Sequence, residues 1–203
     1  MSELNKRGDS ADSPFVEQLK KRYGMDFHKL KEEKINGKIY LMARPSKPHA
    51  RIQRNITNIF NDYFRQKNKK CEPLPEIRLD LDNGDYVEPD VMVFCYENER
   101  EDKEEVPLIV IEVLSKSSRK KDLGIKMEKY AWLGIREYWV IDQYSSILDV
   151  YVLDNGRYKL TITCGIDNSL EEETEIKDLV PEFVSAIFPD LIIKAEEVFY
   201  SVI

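Results

Sequence analysis

The sequence predicts an α/β (α+β) fold, a mixed β-sheet flanked by helices with an N-terminal helical and hairpin extension, and three features predict it. Leu108-Ile109-Val110-Ile111-Glu112-Val113-Leu114 is apolar on both faces except at one position, the pattern of a central strand. Ile52, Ile56, Ile59, Phe60, Tyr63 and Phe64 recur at spacings of three and four, the apolar stripe of a helix laid on a core. A second helical stretch separates the Glu112 strand from a Tyr138 strand, so a helix crosses between two strands of one sheet.

In chain order, residues 1–12 are polar and aperiodic and read as a disordered lead, with 13–203 as a single domain. Ser13-Pro14 opens a short helix to about Arg22, since serine suits the cap and proline the first turn. Asn36-Gly37, between Lys34-Ile35 and Lys38-Ile39-Tyr40-Leu41-Met42, is a hairpin signal. Ser46 caps the long helix, whose end is crowded by Lys67, Lys69 and Lys70, where cations suit the helix dipole. Strands are expected at about Cys71 to Leu81, Tyr86 to Cys95 and Pro107 to Leu114. Ser117 or Ser118 caps the next helix, and Gly134 stops it after Leu133. Strands follow at Arg136 to Ile141, Ile147 to Leu153 and Tyr158 to Thr163, and a helix around Ala195 to Tyr200.

With 203 residues and 42% hydrophobic content, the chain is long enough for one substantial core. It has neither an apolar run long enough to span a bilayer nor a signal-like start, which predicts a soluble, cytoplasmic protein without a membrane partner. Cys71, Cys95 and Cys164 form no CxxC pair and are expected to be reduced, mostly buried thiols. The net charge of −7 argues against a simple electrostatic nucleic-acid binder. The charge is polarised, however: Met1 to Lys70 carries 17 Lys+Arg against 8 Asp+Glu, and the rest carries 14 against 30. Such a chain presents either a solvated polarised surface or a positive wall for phosphates beside metal-binding carboxylates.

Glu112 is the most informative residue, because a carboxylate inside an aliphatic strand must be paired, protonated or metal-bound. Asp90 lies in a second β-prone run, Val87-Glu88-Pro89-Asp90-Val91-Met92-Val93-Phe94, where it is expected to share a face with Glu88, Met92 and Phe94. Pro89 cannot donate to a ladder, so that strand is at an edge or bulged. Two acids on adjacent strands would converge the hard oxygen ligands that Mg²⁺ prefers. On the following helix Asp122, Lys126 and Tyr130 form a stripe at four-residue spacing, and Lys126 borders the sheet-packed face. A lysine near bound metal orients an attacking water or stabilises transition-state charge. The plainer alternative is a surface ion pair between Asp122 and Lys126.

Taken together, Pro89-Asp90, Ile111-Glu112-Val113-Leu114-Ser115, the Asp122, Lys126 and Tyr130 spacing, and Gly134-Ile135-Arg136-Glu137-Tyr138-Trp139-Val140-Ile141-Asp142 resemble the Uma-two family of restriction-endonuclease-like proteins. The likeness extends upstream through Glu33-Lys34-Ile35-Asn36-Gly37, Tyr40-Leu41-Met42, Pro45-Ser46, His49 and Cys71-Glu72-Pro73-Leu74-Pro75-Glu76, so it covers about Pro14 to the C-terminus. The resemblance implies the PD-(D/E)XK nuclease fold, with metal held by Asp90, Glu112 and the main-chain carbonyl of Val113. In that superfamily a lysine usually stands two residues after the second acid; Leu114 stands there instead, and Lys126 on the next helix takes the role. Glu33 matches the family's upstream glutamate, expected to reach the metal directly or through water. His49 matches a family histidine that would meet substrate or a carboxylate.

The expected reaction is hydrolysis of DNA phosphodiesters by water activated at Mg²⁺, with Mn²⁺ able to take the same oxygen site. Asp90, Glu112, Lys126 and Glu33 are the expected catalytic residues, and His49, Arg51, Arg54 and Tyr130 the expected substrate contacts. Tyr138 and Trp139 are expected in the core rather than as a base-stacking platform. DNA binding should be weak and salt-dependent, and a homodimer would suit cutting both strands. The alternatives are a non-catalytic module that keeps the fold and binds nucleic acid or protein, and a structural protein whose buried carboxylates are ion-paired.

Overall fold

The computed structural model describes residues 31–42, 44–96, 106–166 and 179–202; the expected lead and the Ser13 to Arg22 helix lie outside them. Strands β1 (Glu32–Ile35) and β2 (Lys38–Leu41) form the expected hairpin. Its turn residues Asn36 and Gly37 take φ of 51° and 72°, the left-handed pair that this two-residue turn requires. The Asp85 carboxylate accepts both turn amides. Helix α1 (Lys47–Gln66) begins where Ser46 Oγ accepts the His49 amide, and its buried residues include Ile52, Ile56, Phe60, Tyr63 and Phe64.

Next come β3 (Cys71–Pro75), β4 (Leu79–Asp80), β5 (Tyr86–Val87), β6 (Val91–Cys95) and β7 (Ile109–Leu114). A helical stretch follows: α2 (Arg119–Lys121), a π-helical turn over Asp122–Lys126, and α3 (Met127–Trp132). After it run β8 (Glu137–Asp142), β9 (Ile147–Asp154), β10 (Arg157–Gly165), β11 (Leu179–Val180), β12 (Glu182–Val184), β13 (Ile192–Lys194) and α4 (Ala195–Val198). Among the described residues, seven strands form a mixed sheet in the order β11-β10-β9-β8-β7-β6-β3. A smaller sheet runs β2-β1-β5-β4, and β12 pairs with β13. The mixed sheet flanked by helices is as expected. Pro73 and Pro75 are tolerated because β3 is the edge of the large sheet.

Three expectations need correction. The Cys71 to Leu81 run is not one strand: β3 ends at Pro75 in the large sheet, Glu76 takes a φ of 53° that no strand continues through, and β4 pairs with β5 in the small sheet. The Tyr86 to Cys95 run is not one strand: β5 pairs with β1 and β4 in the small sheet, whereas β6 pairs with β3 and β7 in the large one. The chain changes sheets across Glu88-Pro89-Asp90, so Asp90 does not share a strand face with Glu88, Met92 and Phe94. Proline at the midpoint, unable to continue either ladder, is the physical reason. The cysteines are not all free either, since Cys71 and Cys95 form a disulfide and Cys164 alone is a buried thiol. They face each other across β3 and β6 at a pair flanked by the bond from the Tyr96 amide to the Lys70 carbonyl, the register in which opposed side chains approach most closely.

Strand alternation on β7 sorts the core. Ile109, Ile111 and Val113 face α1 and the C-terminal segment, packing with Phe60, Trp139 and Phe183. Val110 and Leu114 face the other side, with Ile35 of the hairpin, Tyr130 of α3 and Val140 of β8. By this parity Glu112 belongs to the second face, beneath the helical stretch.

Candidate active site

The site begins at a fork between β6 and β7. Their register runs from Val93↔Ile109 to Val91↔Ile111, and one step further the chain carrying Asp90 leaves for the small sheet. The amide of Val113, which would otherwise lose its ladder partner, donates to Asp90 Oδ2 at 2.7 Å. His49 Nε2 from the first turn of α1 lies 3.1 Å from the same oxygen, and Gln53 Nε2 donates to the Asp90 main-chain oxygen at 2.8 Å. Burial alone would raise the Asp90 carboxyl, but the His49 and Val113 hydrogen bonds outweigh it and hold it below its ordinary value. Asp90 Oδ1 has no partner among the described residues. In a strand a residue's N–H and C=O point to the same edge, so the Val113 carbonyl faces the gap left by the departing strand.

Glu112 enters from the other face. Its Oε1 accepts Lys126 Nζ at 2.9 Å and the Tyr130 hydroxyl at 2.7 Å. Lys126 is 1% exposed and also pairs with Glu33 Oε1 at 2.6 Å and Asp122 Oδ1 at 3.3 Å. Its ammonium thus stands within ion-pair distance of three carboxylates, which hold its pKa well above the ordinary value although burial opposes this. The surface Asp122 to Lys126 pair considered above is instead fully buried. The π turn, which widens the helix at this point, carries Asp122 and Lys126 inward and leaves Leu123 exposed. Glu33 also accepts Lys121 Nζ at 2.9 Å, and the two lysines hold its carboxyl below its ordinary value against the effect of burial.

Glu112 behaves oppositely to Asp90. Burial, together with Asp122, Asp90 and Glu33, pushes its carboxyl up to about 8 despite Lys126. Its Oε2 has no partner among the described residues. Asp90 and Glu112 both line a cleft of about 210 Å³, whose walls include His49, Arg44, Ser115 and Tyr144. Two open carboxylate oxygens and one main-chain carbonyl are all hard donors. No group of three His, Cys, Asp or Glu side chains among the described residues is arranged to hold a metal ion. The donor set present suits a cation that keeps several waters, as Mg²⁺ does.

The structure brings Asp90, Glu112, Val113, Lys126, Glu33 and His49 together as one site. It does not bring Arg51 or Arg54 to the cleft: both are exposed, and Arg54 is turned to the Asn55 side-chain oxygen at 3.0 Å. Tyr130 is 0% exposed and spends its hydroxyl on Glu112, so it orients that carboxylate and cannot touch substrate. Tyr138 and Trp139 are in the core, as expected. Lys121, Arg44 and Tyr144 were missed. Nothing local marks the first two, but Tyr144, an aromatic residue in the turn that ends a central strand, was a legible signal.

Residues 16–187 match the family described as "Uma2: Putative restriction endonuclease". Over 126 residues the chain is 29% identical to "Uncharacterized protein slr1290" of Synechocystis sp.; the match takes in 60% of this chain and spans 65% of that relative's length. The fold is similar to a crystal structure described as "a putative nuclease belonging to DUF820" from Anabaena variabilis, with a TM-score of 0.64 and 17% identity over 85% of this chain and 91% of the other.

Proposed function

The chain belongs to the Uma2 family of restriction-endonuclease-like proteins, and we propose that it is a metal-dependent endonuclease hydrolysing DNA phosphodiesters in the cleft between Asp90 and Glu112. The observation that carries this reading is the convergence of those two carboxylates from diverging strands, each with one oxygen held and one open to the cleft. Asp90, Glu112 and the Val113 carbonyl would hold Mg²⁺, or Mn²⁺ at the same oxygens. Bound there, the ion would act as a Lewis acid on the phosphate and lower the pKa of an attacking water.

The chain's own groups divide the remaining work. Val113 N–H and His49 fix the rotation of the Asp90 carboxylate, and Lys126 and Tyr130 fix that of Glu112. Lys126 is buried and hydrogen-bonded to Glu112, so it acts through that carboxylate and through its charge in a water-poor setting. Glu33 and Asp122 hold Lys126 in place, and Lys121 steadies Glu33. His49 Nδ1 is buried without a hydrogen-bond partner among the described residues.

DNA as substrate, a homodimer that presents two clefts to a duplex, and a cytoplasmic location belong to the same proposal; no helix among the described residues is long and apolar enough to cross a membrane. The test is cleavage of plasmid and single-stranded DNA with Mg²⁺ or Mn²⁺ by wild type, Asp90→Ala and Glu112→Ala. Metal-dependent cutting that both variants lose is the expected result. Wild-type protein that neither cuts nor is stabilised by metal would leave the fold as a binding module.

A further inference from the structure

Tyr144 sits in the turn between β8 and β9, at the cleft end of the sheet, with 63% of its surface exposed. Exposure of an aromatic ring usually goes with a loose loop, yet this turn is pinned from several sides. The Tyr144 amide donates to Asp142 Oδ1 at 2.9 Å, and Arg119 holds the other oxygen of that carboxylate at 2.6 Å. Gln143 Nε2 donates to the Leu114 carbonyl at 2.8 Å, and Ser46 Oγ donates to Gln143 Oε1 at 3.0 Å, tying the turn to the end of β7 and to the α1 cap. Beneath it Gly165 lies so near Ser146 that an added Cβ would stand 2.7 Å from the Ser146 carbonyl oxygen. A fixed backbone therefore presents an exposed ring at the mouth of the cleft.

The ring has a cation beside it, on a cleft whose lining carries Glu76, Glu88, Asp90 and Glu112 as well as Lys31 and Arg44. Lys116 Nζ stands 5.8 Å from its centroid, and Arg44, exposed on the same cleft, has no ion pair among the described residues. Trp132 and Tyr200 are as exposed, each at 69%, but neither lines this cleft. Aromatic face plus adjoining cation is the arrangement that takes a nucleobase on the ring and its phosphate on the ammonium. Inside a duplex each base already has both faces covered by its neighbours. A protein ring can stack only on a base that is unpaired, frayed or turned out.

We propose that Tyr144 is a base-stacking residue that directs the cleft to unpaired DNA, with Lys116 on the neighbouring phosphate. This rests on reading the cleft as a DNA site.

Two measurements test it. The first is metal-free binding of a single-stranded oligonucleotide carrying a fluorescent adenine analogue, whose emission is quenched on stacking. Quenching should occur with wild type and Tyr144→Phe and vanish with Tyr144→Ala, whose affinity should fall roughly 10-fold. The second is steady-state cleavage of that strand and of its duplex: Tyr144→Ala should raise KM on the single strand, leave kcat near wild type and leave the duplex unchanged. Quenching that survives in Tyr144→Ala, or equal KM changes on both substrates, overturns the proposal. If quenching behaves as expected but wild type cuts no DNA, the stacking role stands and the nuclease reading falls.

Discussion

Neighbouring strands β7 and β8 each bury a glutamate, Glu112 at 3% exposure and Glu137 at 0%, and the molecule treats them in opposite ways. Glu137 lies at the start of β8 and is surrounded by neutral donors. Trp139 Nε1 reaches it at 2.8 Å, and Ser185 Oγ and the Ile187 amide at 3.1 Å. Both its oxygens are used, and they lock the C-terminal segment onto the sheet. Glu112 lies toward the other end of the parallel pair, opposite Val140. One of its oxygens is held by a lysine and a tyrosine, the other faces the cleft, and three further carboxylates raise the cost of its charge. Burial of an acid is therefore not itself a functional signal. What separates the two is whether the donors around it complete its hydrogen bonding or leave an oxygen open where negative charge accumulates.

The comparison breaks most visibly in activity. Glu112→Gln keeps an acceptor for Lys126 and Tyr130 but loses a hard anionic ligand, so DNA cleavage should fall by at least about 100-fold while the fold persists. A variant that cuts normally in a plasmid-nicking assay would assign Glu112 to the structure alone. Glu137→Ala should do the reverse. It orphans donors between the sheet and the C-terminal segment and should cost about 3 kcal/mol in urea unfolding, with cleavage per folded molecule little changed. Tyr130→Phe sharpens the contrast at smaller scale: removing one donor to Glu112 should lower kcat about 10-fold, with a stability cost near 1 kcal/mol.

The pH dependence should be subtler still. The Glu112 carboxyl is raised to about 8 from an ordinary 4.5, so the folded chain holds that proton more tightly than the unfolded chain does. Its contribution to stability is complete below the ordinary value and is lost as pH rises through about 8. In metal-free urea titrations Glu112→Gln should therefore gain on wild type progressively as pH rises from about 4.5 to about 8, and the gap should level off above that. A gap that stays constant across the range would mean that Glu112 is not the group titrating.

Much of the frame was legible in the sequence for local reasons. The apolar run of β7 identified a central strand, the three-and-four spacing identified α1, and Asn36-Gly37 identified the hairpin. Glu112 and Asp90 stood out as charges in strongly β-prone surroundings. What escaped depended on partners far along the chain. Nothing within Tyr86 to Cys95 reveals that Tyr86 and Val87 pair with another sheet, although Pro89 marked the place. Facing of Cys71 and Cys95 depends on the register of β3 against β6, separated by 24 residues. The π turn has no local signature, yet it decides that Lys126 lies inside the cluster rather than at its border. Arg51 and Arg54 were assigned to substrate from charge alone, and the rotation of α1 turns them away.

The most direct measurement is thermal unfolding with and without MgCl₂ for wild type, Asp90→Asn, Glu112→Gln and Glu137→Gln. At an ion concentration roughly 100 times the dissociation constant, binding to the folded chain alone should stabilise it by about 2.7 kcal/mol. Wild type and Glu137→Gln should both show the shift, and Asp90→Asn and Glu112→Gln should not. A shift that survives in Asp90→Asn and Glu112→Gln, or one lost in Glu137→Gln, would contradict the assignment of the metal to the fork between β6 and β7.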